Sequence, residues 1–195
     1  MASKILIVRL SSLGDVIHTI PAQQELARQN PDASIHWLTE PAYGPLLECT
    51  EGIDRVWSVS TKSLLKGFTP ISKLSKTLKS LRQEKFDLAI DIQGLLKSAV
   101  LARFSGAGRV IGFAGDRLRE GQAAWFYHDA VTVEPGQRHQ VSYNLDLIAP
   151  PRFKGGDSAR IELNLPEEAD QYVKEQLDAL GISAPVILNP GGGWE

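Results

Sequence analysis

A carboxylate set just past a short apolar run is the first candidate for chemistry. The stretch Arg9-Leu10-Ser11-Ser12-Leu13-Gly14-Asp15-Val16-Ile17-His18 follows Ile5-Leu6-Ile7-Val8 and leads into a helical pattern. That order describes a strand, a tight loop and a helix start, and in open α/β sheets ligands sit where such loops lie, at the carboxyl ends of strands. The first N–H groups of a helix are unpaired and favour an anion, so Asp15 stays ionised there. An ionised carboxylate in a cleft can take a proton from an attacking hydroxyl, which is general-base chemistry. The same residues have a plainer reading, in which Ser11, Ser12 or Asp15 caps the helix. Spacing alone leaves both open. Gly14 allows close backbone approach or a positive φ. The stretch lacks Gly-x-Gly-x-x-Gly, so it carries no dinucleotide fingerprint.

A second loop of the same kind is Asp91-Ile92-Gln93-Gly94-Leu95-Leu96-Lys97-Ser98. Asp91 closes an apolar strand and must be hydrogen-bonded or near the cleft. Lys97 falls in the first turn of a helix, the less favourable end for a cation, so it is expected to pair with Asp91, to meet an anionic ligand, or simply to be solvated. A basic run holds Lys62, Lys66, Lys73, Lys76, Lys79, Arg82 and Lys85 against one acid, Glu84. Lys73, Lys76, Lys79 and Arg82 read as a solvated helix face. Lys62, Lys66 and Gly67 precede that helix and are placed to meet phosphate or carboxylate. A cluster of this size also suits an anionic membrane surface. Arg117 and Arg119, in Gly112-Phe113-Ala114-Gly115-Asp116-Arg117-Leu118-Arg119-Glu120-Gly121, either grip carboxylates or phosphates or pair with Asp116 and Glu120. His18 and His139 read as packing or cap-region residues or as ligand contacts. Asn189-Pro190-Gly191-Gly192-Gly193 follows an apolar strand, where glycine N–H groups can cradle phosphate if a helix follows.

These loops need strands and helices in strict alternation behind them. Apolar runs predict strands at 5–8, 34–39, 55–59, 88–92, 110–112 and 130–133. Helical spacing predicts helices at 16–28, 41–48, 70–84, 95–104, 117–126 and 138–148. The pattern implies parallel strands joined by right-handed crossovers, an open doubly wound α/β sheet. Pro150 to Asp157 reads as a linker. A strand at 159–163, a helix at 166–180 and a strand at 186–189 follow. The division is a first domain at 1–154 and the start of a second at 155–195, whose next helix is not in the chain.

Composition narrows the partners. The chain has 195 residues, 43% of them hydrophobic, and a formal net charge of −2. This is a globular chain and not a nucleic-acid binder. One cysteine, Cys49, excludes an internal disulfide and suits a reducing cytoplasm. No apolar run approaches the roughly 20 residues that span a bilayer. The N-terminus is expected to enter a strand directly, without a signal peptide's organisation.

Taken together, Ser11-Ser12-Leu13-Gly14-Asp15-Val16-Ile17-His18-Thr19-Ile20-Pro21, Asp91-Ile92-Gln93-Gly94-Leu95-Leu96-Lys97-Ser98-Ala99, Arg119-Glu120 ahead of Trp125-Phe126-Tyr127, His139 and Asn189-Pro190-Gly191-Gly192 resemble the lipopolysaccharide heptosyltransferases of glycosyltransferase family 9. The resemblance implies a GT-B fold of two Rossmann-like lobes, with this chain supplying the N-terminal, acceptor-binding lobe and the truncated start of the nucleotide-sugar lobe. It implies an inverting, metal-free transfer of heptose from ADP-heptose to Kdo of the lipopolysaccharide inner core, at the cytoplasmic face of the inner membrane. The family's catalytic aspartate matches Asp15. Acceptor contacts are expected from Ser12, Gly14, Lys62, Lys66, Gln93, Lys97, Arg119 and His139. Donor contacts are expected from Ser11, Gly14, Pro190, Gly191 and Gly192. The competing class is a non-catalytic module that holds an anionic glycolipid through Lys97, Arg119 and the basic loop.

Overall fold

Apolar runs without alternation make strands that are covered on both faces, and that is what the chain forms. A computed structural model of the protein describes residues 3–61, 71–133, 136, 138–148 and 161–186. Six parallel strands, β1 (Lys4–Val8), β2 (Ser34–Thr39), β3 (Arg55–Ser58), β4 (Leu88–Asp91), β5 (Arg109–Phe113) and β6 (Asp129–Val131), lie in the order β3-β2-β1-β4-β5-β6. The helices are α1 (Leu13–Ile17), α2 (Ile20–Gln29), α3 (Gly44–Glu48), α4 (Ile71–Glu84), α5 (Leu96–Phe104), α6 (Gln140–Ile148) and α7 (Glu167–Ala179).

Successive residues of β1 enter opposite layers. Ile5 and Ile7 join Ile35, Trp37 and Ile90 under Val16, Ile20, Leu26, Leu47 and Tyr143. Leu6 and Val8 join Leu38 and Val110 under Leu81 and Leu101. Thus α1 to α3 and α6 cover one face, and α4 and α5 the other. The strand order turns at β1: the chain builds outward to β3, then α4 returns it to β4 on the other side of β1. The helices that follow β1 and β4 lie on opposite faces, and in open α/β sheets ligands sit at the carboxyl ends of the strands where the order turns in this way. Val8 pairs with Leu38 on one side and with Asp91 on the other, which brings the two motif loops together.

Several elements differ from the expectation. The helix expected at 16–28 is two helices, α1 and α2, broken at His18 and Thr19. Pro21 has no N–H and its ring excludes the carbonyl of a continuous helix, so the turn before it must break. Thr19 Oγ1 donates to the freed Asp15 carbonyl at 2.8 Å. The 41–48 helix begins as a 3₁₀ turn, Pro41–Tyr43. The helix expected at 117–126 is two 3₁₀ turns, Gly115–Arg117 and Gly121–Phe126. Between them Glu120 N–H donates to Gly94 O at 3.2 Å and the Glu120 carboxylate accepts from Leu96 N–H at 2.6 Å, so residues 118–120 are held extended. Helical spacing records burial and cannot register such distant bonds.

Of the strand expected at 159–163, residues 161–163 contribute an antiparallel bridge between Leu163 and Thr50, and residues 159 and 160 lie outside the described residues. Glu51 N–H to Glu162 O, Asn164 N–H to Cys49 O and two bonds between Gln24 and Glu162 complete that contact. Val186, expected to begin a strand, is exposed coil. The expected linker at 150–157 and the rest of the 186–189 strand lie outside the described residues.

Candidate active site at the ends of β1 and β4

Asp15 is the third residue of α1, and its carboxylate turns back on the helix start. Oδ2 accepts from the backbone N–H and the hydroxyl of Ser12, each at 3.2 Å. This is the capping geometry, with the N-terminal helix residue satisfied by a carboxylate three positions on. Capping and availability coexist here, because Oδ1 faces cations. Arg9 Nη2 lies 2.7 Å from Oδ1 and Arg119 Nη2 lies 3.4 Å from it. Burial pushes the Asp15 carboxyl up, but the charges of Arg9 and Arg119 and the bonds from Ser12 outweigh it and hold the carboxyl below its ordinary value. The group is ionised at neutral pH. The Ser11–Ser12 peptide of this loop is cis.

The β4 loop is built on Asp91, which is fully buried. Its Oδ1 accepts from the N–H groups of Gln93 at 3.0 Å and Gly94 at 3.4 Å. Its Oδ2 accepts from the hydroxyls of Ser98 at 2.9 Å and Tyr127 at 2.7 Å. Burial pushes the Asp91 carboxyl up to about 6, with those four bonds opposing the rise. Burial and the adjacent carboxylate together push the Tyr127 hydroxyl up. Asp91 is therefore a structural acid, not the partner of Lys97: no ion pair joins the two. Gly94 adopts φ 67°, a left-handed turn that glycine tolerates without strain, whereas Gly14 lies in helical backbone with open space around it. Close approach, not a positive φ, is what Gly14 offers.

The two loops are clipped to each other. Gln93 Oε1 accepts from Leu10 N–H at 2.7 Å, and Arg9 Nη1 donates to Ile92 O at 2.8 Å. Gln93, expected at the acceptor surface, is buried and committed to this clip. Ser11 is half-buried, and Ser12 and Gly14 are exposed beside Asp15. Lys97 stands half-buried in the first turn of α5. His139 packs edge-to-face on His18, the residue that closes α1, with ring centroids 4.9 Å apart. Arg117 does not pair with Glu120; it stacks on Tyr143 at 3.6 Å and donates to the Tyr143 hydroxyl at 2.7 Å, while the side chain of Asp116 lies outside what the structure describes. Of Arg117 and Arg119, Arg119 is the one that reaches Asp15. Lys62, Lys66, Pro190, Gly191 and Gly192 lie outside the described residues.

Two participants escaped the sequence reading. Arg9 opened the motif stretch without a role, and a charge set directly after four apolar strand residues was the available signal. Tyr127 reaches Asp91 from 36 residues away, which no local pattern marks.

Comparison with known proteins bears on the family and the fold. The family model described as glycosyltransferase family 9 (heptosyltransferase) matches residues 74–190, which includes the Asp91 loop. The lipopolysaccharide heptosyltransferase 1 of Pseudomonas aeruginosa is 33% identical over 190 residues, 95% of this chain and 51% of that protein. The protein of the same name from Escherichia coli K12 is 29% identical over 180 residues, 87% of this chain and 56% of that protein. The chain thus spans about half the length of the curated relatives it matches. Among solved structures, E. coli heptosyltransferase WaaC with ADP-2-deoxy-2-fluoro heptose superposes with a TM-score of 0.71 at 24% identity, covering 92% of this chain and 67% of that one. A family 9 glycosyl transferase from Veillonella parvula gives 0.73 at 19% identity, covering 93% and 51%. The six-stranded sheet is accordingly the N-terminal Rossmann-like lobe of a GT-B fold.

Proposed function

Because the chain belongs to glycosyltransferase family 9, the heptosyltransferases, we propose that it supplies the acceptor lobe and the base of an inverting transfer of heptose from ADP-heptose to a Kdo sugar of the lipopolysaccharide inner core. Asp15 accepts the proton of the Kdo hydroxyl as that oxygen attacks the anomeric carbon and ADP departs. The observation that carries this reading is an ionised carboxylate, 18% exposed, at the strand ends where the sheet order turns.

Arg119, 53% exposed beside that carboxylate, suits an acceptor bearing carboxylates and phosphates. Ser12 and Gly14 line the same approach, Lys97 and His139 stand on the neighbouring elements, and Lys62 and Lys66 belong to the acceptor side in this reading. Ser11, Gly14, Pro190, Gly191 and Gly192 belong to the donor side, with residues 155–195 assigned to the second lobe. The chemistry as read uses no metal and no cofactor beyond the donor itself. Lys73, Lys76, Lys79 and Arg82 are exposed along α4 and suit peripheral contact with an anionic inner-membrane surface from the cytoplasmic side. No helix among the described residues is long and apolar enough to cross a membrane.

The test is Asp15→Asn in the full-length enzyme with ADP-heptose and a Kdo-lipid A acceptor. A base acting in the transition state predicts a fall in kcat of about 10²-fold or more with the acceptor KM little changed. A variant that keeps the wild-type rate removes Asp15 from the chemistry.

A further inference from the structure

Three groups hold the Asp15 carboxylate, and they are not equivalent. Ser12 engages Oδ2. Arg9 and Arg119 both engage Oδ1, but at 2.7 Å and 3.4 Å, and their side chains are 2% and 53% exposed. Arg119 is on the surface and can follow a ligand. Arg9 cannot. Its Nη1 is tied to Ile92 O, its backbone N–H donates to Leu38 O at 3.2 Å, and its carbonyl accepts from the Trp37 indole at 3.2 Å. Its Nε finds no hydrogen-bond partner among the described residues, and Nη2 meets Oδ1 as an ion pair without hydrogen-bond alignment. A buried guanidinium with donors left over is expensive unless its charge is compensated or used.

We infer that Arg9 is a positioning residue for the general base: it anchors Oδ1 of Asp15 against β4 and supplies the counter-charge that stays when a ligand draws Arg119 away. The inference rests on the reading of Asp15 given above. Its physics is simple. A base whose only cations left with the acceptor would lose both its orientation and its guarantee of being ionised. One fixed and one removable cation separate those tasks. Arg9 keeps the carboxylate deprotonated and aimed, and departure of Arg119 raises its proton affinity at the moment a hydroxyl is present. The charged groups facing this pair are Arg119 on the Asp15 side and buried Asp91, whose carboxylate also attracts Arg9.

The experiment compares Arg9→Gln and Arg9→Lys with wild type in the full-length enzyme, following the Asp15 carboxyl directly by ¹³C NMR titration and transfer by steady-state kinetics. In Arg9→Gln the Asp15 carboxyl titrates at higher pH, the acid limb of the kcat/KM profile moves the same way, and kcat falls roughly 10- to 100-fold, the scale of one lost charge-assisted bond. The acceptor KM changes little. Arg9→Lys keeps the acid limb near its wild-type position and recovers part of kcat, because charge is restored without the second bond to Ile92. An unmoved Asp15 titration in Arg9→Gln overturns the inference, as does a raised acceptor KM with unchanged kcat. If Arg9→Gln does not fold, Arg9→Met, which keeps the packed stem, is read by the same two criteria. Full transfer by Asp15→Asn alongside a shifted titration in Arg9→Gln would defeat the catalytic reading of Asp15 alone. An inactive Asp15→Asn with an unmoved titration would defeat the role of Arg9 alone.

Discussion

Asp91→Asn tests the buried acid beneath the β4 loop. Burial holds the Asp91 carboxyl at about 6 against an ordinary 3.8. A carboxyl raised on folding contributes its full stability only below its unfolded pKa, and loses it as pH rises through its folded pKa. Above pH 7 the charged form therefore makes folding less favourable by about 3 kcal/mol, of which about 2 kcal/mol accrues between pH 4 and pH 7. Asparagine keeps an oxygen for the Gln93 and Gly94 N–H groups, and its amide meets the Ser98 and Tyr127 hydroxyls, which can turn to accept. Urea unfolding of both proteins at pH 4, 5, 6 and 7, read by the fluorescence of buried Trp37, gives the difference in stability. Carboxylates held below their ordinary values, such as Asp15, Glu25 and Glu84, are shared by both proteins and cancel. The stability of Asp91→Asn relative to wild type should rise by about 2 kcal/mol across that range. A flat or falling difference would refute the reasoning, because the carboxyl would then titrate no higher in the folded chain than in the unfolded one.

Two further variants probe the packing around the site. In Gly112→Ala the new Cβ would collide with two carbons of the Tyr127 ring, whose hydroxyl is fixed by Asp91. The ring must move, so a loss of about 1–3 kcal/mol is expected in urea unfolding; a wild-type midpoint would mean that the ring is free to shift. Arg109→Ala removes the ion pair with Asp129, a 2.6 Å contact between exposed side chains. Its unfolding midpoint should match wild type, because exposed pairs contribute little once solvent and salt screen them; a clear loss would show that the pair pins β5 to β6.

Much of the frame could be read from residue order. Largely apolar runs placed all six strands within one or two residues at their ends, most sharply at β1 and β4, which are covered on both faces, and less so at the exposed edge strands β3 and β6. The two loops at Asp15 and Asp91 were legible as strand ends for the same reason. Their partnership was not, since Gln93 to Leu10 and Arg9 to Ile92 are bonds made by the sheet order, which periodicity does not encode. The break at His18 comes from Pro21, which apolar spacing does not register, and the extended path of residues 118–120 depends on Gly94 and Leu96. Arg9 was hidden by its neighbours: an arginine after Val8 looks like the end of burial, yet its guanidinium is as buried as the core.

The clip between the β1 and β4 loops has a bearing on how the chain reaches its working state. Arg9 to Ile92 and Leu10 to Gln93 each join residues 83 apart, and Arg119 to Asp15 joins residues 104 apart. Contacts of that separation are favourable only after the chain between them has been ordered, so they close late and fold slowly. The base is consequently not assembled by its own loop. Until β4 has docked against β1, Arg9 beside Asp15 has no anchor at Ile92, and a chain still searching for its sheet order carries the motif without a fixed carboxylate.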